Sequence, residues 1–165
     1  MTDPDGTTTW KPLPPEMEAR LESVISSWVG TPYLSGNRVK GMGVDCVQLV
    51  AGILDEFLER EDRTPVPRLP PDTGTHSTET AYRTVRALVT AYGGKEVEDG
   101  SLQPGDVVVA RNSPGSRRGA DNMGHCAVVT SIPSCCVHAS HQAGVVRTGL
   151  KEFSLVRIFR SSEII

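Results

Sequence analysis

The chain has 165 residues, 38% of them hydrophobic, with a formal net charge of −3; that is one ordinary domain with enough apolar material for a single core. The absence of basic blocks argues against nucleic-acid binding driven by phosphate neutralisation, and no apolar run approaches the roughly 18 residues of a membrane span. Four cysteines, two of them adjacent, do not read as the staples of a secreted scaffold.

Met1 to Pro15 is rich in Thr, Gly and Pro and reads as a flexible N-terminal tail, leaving residues 16–165 as a single domain. The tail lacks the basic-then-apolar order of a signal peptide. The expected site of synthesis is therefore a reducing cytoplasm, with export only if another machine carries the protein out. Glu16 to Val29 is predicted helical: Met17, Leu21, Val24, Ile25 and Trp28 recur at helical spacing, prolines open it and Gly30 closes it. Thr31 to Val44 is a glycine-bearing loop. A second helix runs from Cys46 to about Arg60, with Asp45 as its N-cap, an apolar face of Val50, Ile53, Leu54, Phe57 and Leu58, and Asp55, Glu56 and Glu59 opposite. Glu61 to Thr75 is proline-rich and irregular. Ser77 to Tyr92 is a third helix with Ala81, Val85, Leu88 and Tyr92 in one stripe.

After Gly93-Gly94 the period changes. Asp106 to Ala110, Gly124 to Ser131, Cys135 to Ala139, Gly144 to Thr148 and Phe153 to Arg160 read as strands joined by turns. Arg111 to Met123 is a polar loop containing Arg117 and Arg118. Helices first and strands afterwards make an α+β domain, its N-terminal helices packed on a C-terminal antiparallel sheet of about five strands.

The chemistry centres on Gly43-Val44-Asp45-Cys46-Val47-Gln48-Leu49-Val50. A helix start stabilises a thiolate through its N–H groups and dipole. Alternation puts His125, Ala127 and Val129 on one face of their strand and Cys126, Val128 and Thr130 on the other. On this reading Cys126 turns away from the site, and small Ala127 lets a helix approach beside His125. The turn at Ile132 to Ser134 makes the strands of His125 and His138 neighbours. A helix-start cysteine against two sheet histidines is a nucleophile–base–orienter arrangement. The ion pair and helix end would lower the thiol pKa from ~8.5 to well below 7.

Five blocks then carry a resemblance: Trp28-Val29-Gly30-Thr31-Pro32-Tyr33, Gly43-Val44-Asp45-Cys46, Pro104-Gly105-Asp106-Val107-Val108, Gly124-His125-Cys126-Ala127-Val128-Val129 and Val137-His138-Ala139-Ser140. In order and spacing, from about Met17 to Phe159, the chain resembles the NlpC-type cell-wall peptidases, papain-like cysteine hydrolases of bacteria and their phages. The insertion between Asp62 and Ser101 looks most like the branch encoded with phage tail genes. The resemblance implies Cys46 as nucleophile, His125 as general base and acid, and His138 as its orienter. It implies that Tyr33 and Asp45 bind substrate: Tyr33 near the oxyanion or the substrate amine, Asp45 at that amine as well as capping the helix. The substrate implied is an amide bond in peptidoglycan stem peptides, cleaved through a thioester with no cofactor; phage tail proteins are implied partners. One departure is Val47-Gln48, where much of the family has Ser-Gly, the serine being linked to recognition of a free amino end.

Each residue also has a plainer reading. Cys46 and Cys126 can be core thiols, His125 and His138 hydrogen-bonded strand residues, Asp45 only a cap and Tyr33 only a packed aromatic. His141 competes with His138 but reads as a loop residue, and His76 as exposed. Cys135, Cys136, His138 and His141 have short spacings of the kind zinc uses, but adjacent strand residues point to opposite faces, so no metal is assigned. The alternatives to a hydrolase are a catalytically silent structural or wall-binding part of a phage tail or secretion machine, and a zinc-binding interaction module.

Overall fold

The computed structural model describes residues 9–66, 78–111 and 124–164. His76, Arg117 and Arg118 lie outside them. Strand β1 (Thr9–Trp10) is followed by helix α1 (Pro15–Trp28), the short strands β2 (Arg38–Val39) and β3 (Gly43–Val44), helix α2 (Cys46–Phe57) and helix α3 (Thr78–Thr90). Then come β4 (Lys95–Glu96), β5 (Ser101–Leu102), β6 (Val107–Ala110), β7 (His125–Val129), β8 (Cys135–Ser140), β9 (Gly144–Gly149), a 3₁₀ turn at Leu150–Glu152, and β10 (Leu155–Arg160). Six strands form one antiparallel sheet in the order β4-β10-β6-β7-β8-β9. The domain is therefore α+β, with one more strand than the five expected. The extra one, β4, is two residues long and too short to show alternation.

The expected tail is anchored from Thr9 onward. Thr9 and Trp10 pair in parallel with Ser101 and Leu102, the Lys11 N–H donates to the Leu102 carbonyl, and Leu13 is buried.

The first helix starts at Pro15 with Glu16 and Glu18 in its first turn, where carboxylates suit the dipole. Its Leu21, Ile25 and Trp28 are buried at i, i+4 and i+7. The second helix is apolar on nearly every side: Val47, Leu49, Val50, Ala51, Gly52, Ile53, Leu54 and Phe57 are all buried. Gly52 allows the two helices to touch, because a Cβ there would sit 2.5 Å from Trp28 Cζ2. α3 contributes Ala81, Val85, Leu88 and Val89 to the same core. These helices cover the sheet face bearing Val107, Val109, Cys126, Val128, Val137 and Ala139. The opposite face, with Val108, Ala110, Ala127, Val129 and Cys136, is covered by Leu102, Leu150 and Phe153.

Asp55, read from the sequence as solvent-facing, is drawn into a buried network. Its carboxylate accepts from Arg38 Nη1 at 3.0 Å, the Thr64 N–H at 3.0 Å, Thr64 Oγ1 at 2.5 Å and the Tyr92 hydroxyl at 2.7 Å. The Arg38 and Asp55 side chains are 6% and 12% exposed. Arg38 Nε also donates to Gln48 Oε1 at 2.8 Å. One ion pair thus ties the β2–β3 hairpin to α2, and the Tyr92 hydroxyl joins it from just beyond α3.

Removing one partner of a buried ion pair costs about 3–5 kcal/mol, because the other charge stays buried. Asp55→Ala is therefore expected to lower stability by about that much in urea unfolding. Glu79→Ala, which breaks an exposed i,i+4 pair with Arg83, is expected to cost no more than about 0.5 kcal/mol.

Candidate active site

Asp45 has extended backbone (φ −100°, ψ 177°), and its Oδ1 accepts the Gln48 N–H at 2.8 Å, which starts α2. Its Oδ2 accepts the Gly36 N–H at 2.7 Å. The carboxylate therefore fixes both the helix start and the preceding loop. It is buried, and desolvation raises its pKa against these hydrogen bonds, helped by the neighbouring negative charge of Cys46.

Cys46, the first residue of α2, is half-buried and not disulfide-bonded. Its thiol interacts electrostatically with both Cys126 and His125, and both lower its pKa. The expectation that alternation turns Cys126 away is thus overturned. The helices pack on the Cys126 face of β7, not on the Ala127 face, so α2 brings its N-terminus down onto Cys126. His125, at the first position of β7, reaches the same thiol from the strand's end.

The two thiols face each other, and their pKa values move apart: Cys46 well below the usual thiol range, Cys126 well above it. For Cys46 the main cause is the hydrogen bond from Cys126. Desolvation opposes it, and the hydrogen bond and charge of His125 add to it. Cys46 takes the lower pKa of the two because it has the helix N-terminus and the imidazole beside it.

From His125 a row of hydrogen bonds crosses the sheet diagonally. Val128 pairs with Val137 across β7 and β8. Continued along the strands, this register sets His138 opposite Ala127 and one diagonal from His125, on the same face. His125 Nε2 and His138 Nδ1 are 2.8 Å apart. Cys136 pairs with Thr148 on β9, which places Thr148 diagonally beside His138. His138 Nε2 and Thr148 Oγ1 are 3.0 Å apart. Phe153 covers both rings, with centroids 5.8 Å from His125 (12° between planes) and 5.1 Å from His138 (88°). Burial, and secondarily the charge of His125, push the His138 pKa down to about 4. His138 is therefore neutral at pH 7 and can accept the Nε2–H of His125, leaving Nδ1 of that ring for Cys46.

Tyr33 lies beside the loop that delivers Cys46, bridging to Val44. Its ring stacks on His141, centroids 4.0 Å apart and 27° between planes. His141 is thus a partner of Tyr33, with His138 beside His125. The geometry joins Cys46, His125 and His138 into one row and sets Asp45 at its head. Cys126, Thr148 and Phe153 are the additions. The alternating pattern already marked all three segments as strand, but which face meets the helices and which residues lie diagonally depend on tertiary register. Among the described residues no group of three or more His, Cys, Asp or Glu is placed to hold a metal ion, and no helix is long and apolar enough to cross a membrane.

Neither a family model nor a curated protein matches the sequence. Solved structures do match. The NlpC/p60 domain of the peptidoglycan hydrolase SagA superposes with a TM-score of 0.54 at 14% identity, over 87% of this chain and 97% of that one. The fold is that of the NlpC/p60 domains. NlpC1 from Trichomonas vaginalis matches with a TM-score of 0.56 at 15% identity, over 88% of this chain and 44% of its own. A lipoprotein-like NLP/P60 protein from Staphylococcus aureus matches with 0.54 at 15%, over 92% and 43%. The chain thus spans nearly all of the first and under half of the other two. The NlpC/p60 resemblance carried by the five sequence blocks is met by the same fold in three dimensions.

The buried neutral His138 makes a pH prediction. Its pKa is about 4 folded and about 6.5 unfolded. Between those values the unfolded chain binds more protons, so stability falls as pH drops from about 6.5 to about 4 and this contribution levels off below. The loss amounts to about 3 kcal/mol. Urea unfolding of wild type and His138→Gln across this window should show it as a difference between the two curves, which removes the carboxylates common to both.

Proposed function

We propose that this protein is a cysteine hydrolase that cleaves an amide bond in peptidoglycan stem peptides. The observation that carries the reading is the row Cys46–His125–His138, with a thiol held well below its usual pKa at a helix start. In support, the solved structure of the same fold with near-complete coverage is the NlpC/p60 domain of a peptidoglycan hydrolase.

The Cys46 thiolate attacks the carbonyl carbon, and the oxyanion forms near the backbone N–H of Cys46, an interaction commonly worth about 3 kcal/mol. His125 delivers its Nδ1 proton to the departing amine, leaving a thioester. The same nitrogen then takes a proton from water as the water attacks, and collapse expels the Cys46 thiolate beside the imidazolium and frees the acid. His138 holds the His125 ring throughout. In this reading Tyr33, stacked on His141, lines the mouth of the site. Asp45 offers an incoming amine its negative charge, its oxygens being engaged by backbone N–H groups. Val47 is buried in the core where a serine would face the substrate, so amine recognition rests on Asp45 and Tyr33. The sequence resemblance also supports a phage-tail setting, with delivery to the cell wall by that machine.

Iodoacetamide alkylation followed by mass spectrometry is expected to label Cys46 at least ten-fold faster than Cys126 at pH 6, and His125→Ala should abolish the preference. Purified peptidoglycan should release stem-peptide fragments with wild type and, with Cys46→Ser, at a rate lower by about 10³-fold or more. If Cys46 titrates as an ordinary thiol, near ~8.5, and no fragments appear, the hydrolase reading fails in favour of a silent wall-binding component.

A further inference from the structure

We propose that Thr148 is a positioning residue for the base: its Oγ1 takes the Nε2–H of His138 and so holds that ring in the tautomer whose Nδ1 accepts from His125. The proposal rests on the catalytic reading of Cys46 and His125 above.

The argument begins with what a histidine orienter lacks. A carboxylate in that place accepts hydrogen bonds on every side, whereas a neutral imidazole has one donor and one acceptor nitrogen, and either can carry the proton. The 2.8 Å contact of His125 Nε2 with His138 Nδ1 is compatible with both tautomers. Only one serves. If Nδ1 of His138 carried the proton, it would donate to His125 Nε2. The proton of neutral His125 would then sit on Nδ1, the nitrogen that must receive the Cys46 proton. If Nε2 of His138 carries it, Nδ1 accepts, His125 keeps its proton on Nε2, and its Nδ1 is open to the thiol.

His138 is 1% exposed, so water does not make this choice. The polar group placed to make it is Thr148, 3.0 Å from Nε2. A threonine hydroxyl can donate or accept, and the ion pair sets the direction. When His125 is imidazolium both its nitrogens donate, His138 must accept at Nδ1, and its own proton points at Thr148. The other titratable groups on this row are Cys46, Cys126 and Asp45 near the thiol. Phe153, which closes the rings from the side of the 3₁₀ turn, brings no charge.

The row is also a product of register. Thr148 faces Cys136 across β8 and β9, so it shares a sheet face with His138 and lies one diagonal away. A slip of one residue would turn Thr148 to the other face.

The test uses Thr148→Val, which keeps the shape of the side chain and removes the hydroxyl. Thr148→Ala removes it with less bulk, and Thr148→Ser retains it. Two-bond ¹H–¹⁵N spectra of histidine-labelled protein read the tautomer, and the pH profile of Cys46 alkylation reads the consequence. Wild type and Thr148→Ser should show His138 protonated at Nε2. The Val and Ala variants should show a mixed or reversed tautomer, with Cys46 alkylation at pH 6 slowed about ten-fold and its midpoint raised about one unit. Thermal melts establish that each variant is folded, and Ala stands in if Val is not. The proposal is overturned if a folded Val or Ala variant keeps the wild-type tautomer and an alkylation rate within two-fold, while His125→Ala slows it. If His125→Ala also leaves the profile unchanged, the catalytic reading falls and takes this assignment with it.

Discussion

The arrangement depends on one constraint: α2 is apolar on most of its circumference, and all but its narrow polar edge at Gln48, Asp55 and Glu56 must be covered. α1 closes one flank through Gly52 and Trp28, α3 another, and the sheet the remainder. What a helix buried this way can still present is its end. The N-terminus is where backbone N–H groups lack intrahelical partners and where the dipole favours negative charge. Asp45 satisfies one of those donors and, through Gly36, fixes how the chain enters. Cys46 is therefore placed by the core itself, because the helix has nowhere else to lie.

The second half of the site is made by the sheet and obeys different rules. Along a strand the side chains alternate, and across strands they meet in diagonals. His125, His138 and Thr148 lie on one such diagonal over three consecutive antiparallel strands. The row has its carboxylate, Asp45, at the thiol end and not beside the histidines. Its polarity comes from a thiol of lowered pKa at one end and an imidazole in the middle, kept neutral by burial. Phe153 closes the site from outside, so the row faces low dielectric there, where hydrogen bonds are stronger and an unpaired donor more costly.

Much of this was legible in the sequence. Helical spacing marked all three helices, and the capping aspartate marked where the second begins. Alternating β-branched runs marked five of the six sheet strands. The row Cys46, His125 and His138 could be named because a helix-start cysteine and strand histidines are local patterns. What was not legible is tertiary. Alternation sorts a strand into two faces but does not say which face meets the helices, and for Cys126 the wrong face was chosen. Asp55 looked like a solvent residue because nothing local shows that Arg38, Thr64 and Tyr92 converge on it. Thr148 is silent until strand register is known, and β4 owes its place to pairing with β10 rather than to its own two residues.

The row is also long in chain terms. Its thiol lies at residue 46, its imidazoles at 125 and 138 and its hydroxyl at 148, and that hydroxyl stands on the last strand at one edge of the sheet. Asp45 apart, the polar partners of Cys46 and His125 along the row lie far from Cys46 in sequence. During synthesis Cys46 emerges long before His125 or Cys126 exists to sit beside it. Until the last strands close, the chain carries an ordinary thiol, and the lowered pKa of Cys46 arises late, as a property of the finished sheet.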